Sequence, residues 1–188
     1  GQQTLPEKPV MITFDDGYES DYVYAFPLLK KYGMRAVSST VVIYIEQYSR
    51  DVHKHVNYAH LNWDEMREMQ ASGVFEFQSH SYNLHAYSNE RRGCLKSNGE
   101  STWHYDHLIR EDFELAQNRN REELGRVPTC FTYPFGSVND RLLAHVREAG
   151  FLASLGTYEK LNYLTGDPEE LYDLRRYNRK HNYKIKKI

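Results

Sequence analysis

The chain has 188 residues, a mass of 22.2 kDa and a formal net charge of −2. This length allows one domain with a sizeable core, and we expect a single domain over residues 1–188. A pI near 6.5 and the lack of any apolar run near the roughly 20 residues of a membrane span speak against nucleic-acid binding and against a transmembrane segment. Because the chain begins without Met or a signal-peptide pattern, we expect it to be a piece of a longer protein. Cys94 and Cys130 indicate neither a metal site nor a disulfide framework, and their pairing stays open.

The apolar pattern and the helix-ending residues predict strands that alternate with helices. The predicted strands cover residues 8–14, 35–45, 74–78, 129–133, 151–155 and a last stretch near 171–174. The first predicted helix covers residues 21–32, with a kink at Pro27, and the last covers residues 139–149. A second helix begins at a capping motif, Asn62–Glu65, and ends at Gly73. A third, amphipathic helix ends at Gly125, and its predicted buried side carries Leu108, Phe113, Ala116 and Leu124. A polar insertion, residues 88–101, precedes the amphipathic helix. The alternation predicts a parallel α/β sheet, either open or closed into a barrel.

Polar or aromatic motifs follow three of the predicted strands. Asp15 and Asp16 follow the first strand, His80 and His85 follow the third, and a Tyr-Pro-Phe-Gly sequence at 133–136 ends the fourth. Because the carboxyl ends of parallel strands meet on one face of the sheet, we expect these motifs to converge.

The spacing of the two histidines decides how they could share an ion. Residues five apart lie about 140° apart on a helix, so His80 and His85 can reach one metal only from a loop or a bulged turn. Two imidazoles and one carboxylate form a three-ligand set that leaves a position open for water, and this set suits Zn, Co, Ni or Fe. The second carboxylate is then available as a base. The combination predicts metal-assisted hydrolysis, although an Asp-Gly turn or a pair of surface histidines would be ordinary by itself.

The Tyr-Pro-Phe-Gly motif and Trp63 each allow a structural and a functional interpretation. Tyr-Pro-Phe-Gly is either a strand end with a proline turn or a pocket wall in which the Phe135 N–H faces a developing oxyanion. Trp63 is either a core residue at a helix start or a platform for a sugar. We expect the other seven histidines to lie on the surface, at positions 53, 55, 60, 104, 107, 145 and 181.

Taken in order, Thr13-Phe14-Asp15-Asp16-Gly17, a His-Ser with a second His, and Tyr-Pro-Phe-Gly resemble the polysaccharide deacetylases of carbohydrate esterase family 4, the NodB homology domain. The resemblance covers nearly the whole chain and implies a distorted, incomplete (β/α) barrel with parallel strands. It also implies hydrolytic removal of acetyl groups from N-acetylglucosamine polymers with a divalent metal, zinc being expected first.

The resemblance further implies roles for individual residues. Asp15 matches the family's catalytic base, and Asp16, His80 and His85 match its metal ligands. The Tyr-Pro-Phe-Gly match implies substrate binding by Tyr133, Pro134 and Phe135. The five-residue histidine spacing looks more like the branch that deacetylates poly-N-acetylglucosamine in biofilms, which implies an extracellular or cell-envelope location.

Two departures from the family pattern leave other functions open. Many members carry an Arg where this chain has Thr132, and the substitutes offered are Arg175 and Arg176. Many also carry a Leu-x-His near the C-terminus whose His is the general acid, whereas residues 171–176 contain no His, and we treat Leu143-Ala144-His145 as a chance match within a helix. The alternatives are a carbohydrate-binding module with a vestigial metal site and an O-acetyl esterase that acts on acetylated xylan.

Overall fold

The sheet is parallel throughout and follows the order of the chain. The computed structural model describes residues 6–50, 55–87 and 91–179. Its five strands pair in the order β1 to β5, and they are β1 (Ile12–Asp16), β2 (Ala36–Thr40), β3 (Phe75–Ser79), β4 (Cys130–Thr132) and β5 (Ala153–Leu155). Because each strand pairs with the next one along the chain, the sheet curls into a half-barrel with β1 and β5 at its open edges. The predicted incomplete (β/α) barrel is thereby confirmed.

Helices connect the strands and cover the outside of the sheet. They are α1 (Phe26–Lys31), α2 (Val42–Arg50), α3 (Trp63–Ala71), α4 (Thr102–Leu124) and α5 (Asp140–Glu148). Within the three described ranges, none of them combines the length and the apolar character that crossing a bilayer requires. The kink predicted at Pro27 takes the form of a π-helical turn, Asp21–Ala25, that runs directly into α1.

Two helix-end signals read from the sequence are confirmed. The Asn62 side chain accepts a hydrogen bond from the Glu65 N–H at 2.9 Å, and the Glu65 carboxylate accepts one from the Asn62 N–H at 2.9 Å, so both halves of the capping box form. Gly125 ends α4 in the left-handed conformation, with φ of 68°. These caps fix where α3 starts and where α4 stops.

The strand predicted over residues 35–45 is wrong beyond Thr40. Residues from Val42 form α2, although this stretch is rich in β-branched side chains. Val42 and Ile45 lie three positions apart, as neighbours on a helix face do, and both are fully buried in the core. Packing of this face therefore overrides the local strand preference.

The predictions at the two sheet edges also need correction. β1 begins at Ile12 instead of residue 8, and it runs through the two acids, since Asp15 pairs with Ser39 and Asp16 with Thr40. The strand predicted near residues 171–174 does not form. A short 3₁₀ helix, Pro168–Leu171, stands there, and only Leu174 makes a single parallel bridge to Leu155.

Two groups of buried side chains make up the core. One lies between the first three strands, the helices α1 to α3 and the C-terminal part of α4, and the other lies between α4, α5, β4 and β5. Trp63 is 5% exposed and belongs to the first group, so the core reading of this residue is correct. The carboxyl ends of the strands rise from this packed base and carry the polar motifs.

Candidate metal centre

Three predicted ligands converge at the carboxyl ends of β1 and β3. The Asp16 Oδ1 atom lies 3.5 Å from His80 Nε2 and 3.3 Å from His85 Nε2. One ligand atom from each of these residues lies within 4.8 Å of the others. No other group of three metal-ligating side chains of this kind occurs among the described residues.

The Asp16 side chain is aimed by an unusual turn at the end of β1. Asp16 has φ of 73° and Gly17 has φ of 70°, so two successive residues adopt the left-handed conformation. A Cβ atom on Gly17 would lie 2.8 Å from Thr40 Cγ2, and only glycine fits there without displacing the neighbouring strand end. The Asp-Asp-Gly sequence thus builds a tight turn whose second acid faces the histidines.

His80 is fixed in the tautomer that a metal ligand needs. It is 2% exposed, and its Nδ1 atom lies 2.7 Å from the Thr132 carbonyl oxygen. Since a carbonyl oxygen can only accept, Nδ1 carries the proton and Nε2 presents its lone pair to the site. Burial lowers the pKa of His80, which favours this neutral form.

His85 reaches the same point from an irregular loop, as the five-residue spacing predicts. Ser81 has φ of 87°, and its Oγ atom accepts a hydrogen bond from the Leu84 N–H at 3.0 Å. The rings of His80 and His85 then lie 4.7 Å apart.

An acid from α4 holds this loop from below. The two carboxylate oxygens of Asp112 accept hydrogen bonds from the N–H groups of Tyr82 and Asn83, each at 2.8 Å. Asp112 is 5% exposed, and burial raises its pKa to about 6, although the two N–H bonds oppose this shift. Sequence reasoning missed this residue. The available signal is its position four residues after Leu108 and four before Ala116, on the face of the helix predicted to be buried.

The side chains of Asp16, His80 and His85 fit a divalent cation, and the polar atoms that face one another among them show why. Asp16 Oδ1 is buried and has no hydrogen-bond partner among the described residues, although it faces two imidazole nitrogens. Three lone pairs pointing at one space are unfavourable unless a cation lies between them. Two imidazoles and one carboxylate match the ligand set of catalytic zinc centres.

Asp15, the neighbouring acid, is held by an arginine. The Arg176 Nη1 and Nη2 atoms donate to Asp15 Oδ1 and Oδ2 at 2.7 and 2.8 Å, and Arg176 Nε donates to the Gly156 carbonyl at 2.8 Å. Burial raises the pKa of Asp15, but the hydrogen bonds and charge of Arg176 outweigh burial and hold this pKa below its usual range. Of the two arginines considered as substitutes, the structure therefore selects Arg176.

The Tyr-Pro-Phe-Gly segment lies beside the triad, but its side chains differ in exposure. Tyr133 is fully buried, and its hydroxyl oxygen accepts a hydrogen bond from Ser154 Oγ at 3.0 Å. Pro134 is buried as well. The half-buried Phe135 has φ of 58°, and its ring lies 4.5 Å from that of His85. Phe135 is thus the member of the motif whose side chain borders the site.

Two of the histidines expected on the surface are buried. His60 is 8% exposed, its Nδ1 atom lies 3.1 Å from the Asp16 carbonyl oxygen, and its ring stacks on that of Tyr18 at 4.7 Å. Burial lowers the pKa of His60. His145 is 5% exposed on α5 and lies 2.8 Å from Asp106 Oδ1, as a link between helices. The other histidines that the structure describes, at positions 55, 104 and 107, are exposed, and those at 53 and 181 lie outside the described residues.

The pairing of the cysteines, which the sequence leaves open, is settled by the structure. Cys94 and Cys130 are both free thiols, and Cys94 is fully buried. Burial raises the pKa of both, so neither has the thiolate character of a reactive cysteine.

Comparison with known families gives one match that covers most of the chain. The sequence profile described as polysaccharide deacetylase matches residues 2–154. Among curated proteins, a poly-beta-1,6-N-acetyl-D-glucosamine N-deacetylase from Staphylococcus aureus is 27% identical over 156 residues, which are 83% of this chain and 50% of that protein. The protein of the same name from Escherichia coli is 26% identical over 80% of this chain and 25% of its own length. The chain thus spans about half the length of the S. aureus relative and a quarter of the E. coli one.

Solved structures give the same picture in three dimensions. A de-N-acetylase from Aggregatibacter actinomycetemcomitans superposes with a TM-score of 0.79 at 27% identity, covering 93% of this chain and 71% of that one. IcaB from Ammonifex degensii gives a TM-score of 0.73 at 27% identity, over 91% and 68% of the two chains. The matched part of both structures includes nearly all of the half-barrel described above.

Proposed function

Because this chain belongs to the polysaccharide deacetylase family, we propose that it removes acetyl groups from N-acetylglucosamine units of a polysaccharide. Deacetylases of this family are metal-dependent. The observation that carries the proposal is the pairing of two acids at the end of β1. Asp16 faces two histidines, whereas Asp15 is separately held by Arg176. The relatives named as poly-beta-1,6-N-acetyl-D-glucosamine N-deacetylases support that polymer as the substrate.

Asp16, His80 and His85 would hold the metal, and we propose zinc because the ligands are two neutral imidazoles and one carboxylate. When bound, this ion supplies Lewis acidity toward the acetyl carbonyl and lowers the pKa of a water molecule. The protein's contribution is to fix the three ligand atoms before the ion arrives, through the Thr132 carbonyl behind His80 and the Asp112 carboxylate beneath the loop.

Asp15 is the proposed base that takes a proton from the attacking water. Arg176 keeps this carboxylate ionised and bonds both of its oxygens, so that the group can act only in one orientation. The Phe135 N–H is the proposed donor to the oxyanion that forms on the acetyl carbonyl, and the turn around Phe135 sets its direction. We also propose an extracellular or cell-envelope location, where a polymer of this kind is met.

Acetate release from β-linked N-acetylglucosamine oligomers tests this function. The purified chain is assayed as isolated, after chelation, and after Zn²⁺, Co²⁺ or Ni²⁺ is restored. We expect release that disappears with the chelator and returns with metal. Release that is indifferent to chelation would refute metal dependence. Release from acetylated xylan alone would make the chain an O-acetyl esterase.

A further inference from the structure

An exposed tyrosine continues the row of aromatic rings that begins at the metal ligand His85. The Phe135 ring lies 4.5 Å from the His85 ring, and the Tyr87 ring lies 5.9 Å from the Phe135 ring at an angle of 77°. Tyr87 is 72% exposed. The row therefore runs from the proposed reaction centre to solvent, and it ends in a large ring that the core does not use.

The position of Tyr87 is fixed by packing against the Phe135 turn. Tyr87 and Arg92 form an antiparallel bridge, and the Gly93 N–H donates to the Ala86 carbonyl at 3.0 Å. Gly93 has φ of 55°, and a Cβ atom there would lie 3.0 Å from Pro134 Cβ. Ala86 and Tyr87 are thus paired with Arg92 and Gly93, and Gly93 packs against Pro134 in the wall of the site, which holds the Tyr87 ring at the rim.

The chemistry around the ring restricts what it could bind. The Arg92 guanidinium lies 5.9 Å from the Tyr87 ring centroid, so a positive charge already occupies this side of the rim. An aromatic face attracts weakly positive C–H groups, and the tyrosine hydroxyl offers a hydrogen bond at the edge. A neutral pyranose ring, with C–H groups on its face and hydroxyls at its edge, meets both conditions, whereas a sugar with a free ammonium group would be repelled by Arg92.

We propose that Tyr87 forms a binding subsite for the sugar unit next to the one that loses its acetyl group, and that this neighbouring unit is itself N-acetylated. The inference rests on the proposed deacetylase function. The subsite is continuous with the proposed reaction centre through Phe135, which ties its occupant to the same polymer chain. Its effect is on recognition of a chain longer than one sugar, not on the chemistry at the metal.

Replacing Tyr87 tests this subsite on substrates of two lengths. The metal-restored chain and its Tyr87→Ala and Tyr87→Phe variants are assayed for acetate release from a β-linked N-acetylglucosamine pentamer and from the monomer. We expect Tyr87→Ala to lower kcat/KM for the pentamer about three- to tenfold, the range of an aromatic contact, with no change for the monomer. Tyr87→Phe keeps the ring and loses only the hydroxyl, so its loss on the pentamer should be smaller than that of Tyr87→Ala. Tyr32→Ala is the matched control, since Tyr32 is 64% exposed at the far end of α1, where β2 begins.

The outcomes separate this inference from the proposed function. An unchanged pentamer value in Tyr87→Ala, or an equal loss on monomer and pentamer, would overturn the subsite while leaving deacetylation intact. If the parent chain releases no acetate from either substrate, the proposed function fails, and pentamer binding to the metal-free chain is then measured by calorimetry. Weaker binding in Tyr87→Ala than in Tyr32→Ala supports the subsite, and equal binding refutes it.

Discussion

The proposed metal-binding triad and the proposed base lie side by side but are held by different parts of the chain. Asp16, His80 and His85 come from two strand ends and one loop, and their supports, Thr132 and Asp112, lie within the helices and strands of the barrel. Asp15 depends on one side chain, Arg176, which follows the last strand and lies 161 positions away in the sequence.

Metal binding and the orientation of the base depend on different parts of the chain, although the family motif places the two acids on adjacent residues. The triad is supported by buried hydrogen bonds to the backbone, so its geometry is a property of the folded core. The orientation of Asp15 depends instead on the segment after β5. The Arg176 guanidinium in this segment bonds to the Gly156 carbonyl and to Asp15 on β1, and so links the two edges of the sheet. Metal binding and turnover should therefore be separable by mutation.

The largest expected effects come from replacing one residue of each group. His80→Ala should lose both metal binding and acetate release, because it removes a ligand. Asp15→Asn should bind metal with an affinity close to that of the parent and lose about a thousandfold or more in kcat, because a general base contributes on the order of 10²–10⁴. Metal content by elemental analysis and acetate release are measured on the same samples. Full activity in Asp15→Asn would refute its role as the base.

Arg176→Met is expected to lower kcat about a hundredfold with little change in metal content, since Asp15 loses both hydrogen bonds that orient it. The adjacent Arg175 is exposed, so Arg175→Met is a control of equal charge change. The two variants are compared by kcat, by metal content and by midpoint of thermal unfolding. If both lose activity equally, the segment acts through its overall charge instead of through the bond to Asp15.

The fold and the triad could be predicted from the sequence because both follow from local patterns. Alternating strands and helices indicate a parallel sheet, and polar residues after strand ends must then meet on one face. The spacing of His80 and His85 excludes a helix and correctly predicts a loop. The errors at 35–45 and 171–174 have another origin, since burial of Val42 and Ile45 and the edge position of Leu174 are decided by tertiary packing.

The supporting residues were harder to predict because each acts from a distance in the sequence. Arg175 and Arg176 are equal candidates to replace the family's arginine, because no local sequence pattern distinguishes them. Asp112 lies in a helix predicted to be amphipathic, and an acid on the buried face of such a helix indicates a buried hydrogen-bond acceptor. Its partners, the N–H groups of the His85 loop, could not be predicted from the helix pattern. The depth of His60 depends on stacking with tyrosines, including Tyr18, that approach it only in the folded chain.

A smaller effect should follow from loosening the loop that carries His85. Asp112→Asn leaves one acceptor oxygen for two N–H groups, so we expect a loss of about 1–3 kcal/mol in the free energy of unfolding. We also expect about a tenfold weaker metal affinity, as for other residues that orient ligands. Denaturant unfolding and a metal competition titration measure the two effects. Glu114→Gln, on the exposed side of the same helix, is the control. An unchanged metal affinity in Asp112→Asn would show that the His85 loop does not depend on the Asp112 carboxylate for its position.

The last prediction concerns pH and tests whether Asp112 is a buried ionisable acid. Burial raises the pKa of Asp112 to about 6 in the folded chain, above its ordinary value of 3.8. Between these values the folded chain holds the proton more often than the unfolded chain, so this stabilising contribution is full below pH 3.8 and is lost as the pH rises through about 6. The slope cannot exceed about 1.4 kcal/mol per pH unit for one proton. Asparagine does not titrate, so the stability difference between the metal-free parent and Asp112→Asn should be larger at pH 4 than at pH 7. An equal difference at both pH values would mean that the two N–H bonds offset the burial of the Asp112 carboxylate, and the raised pKa would then be refuted.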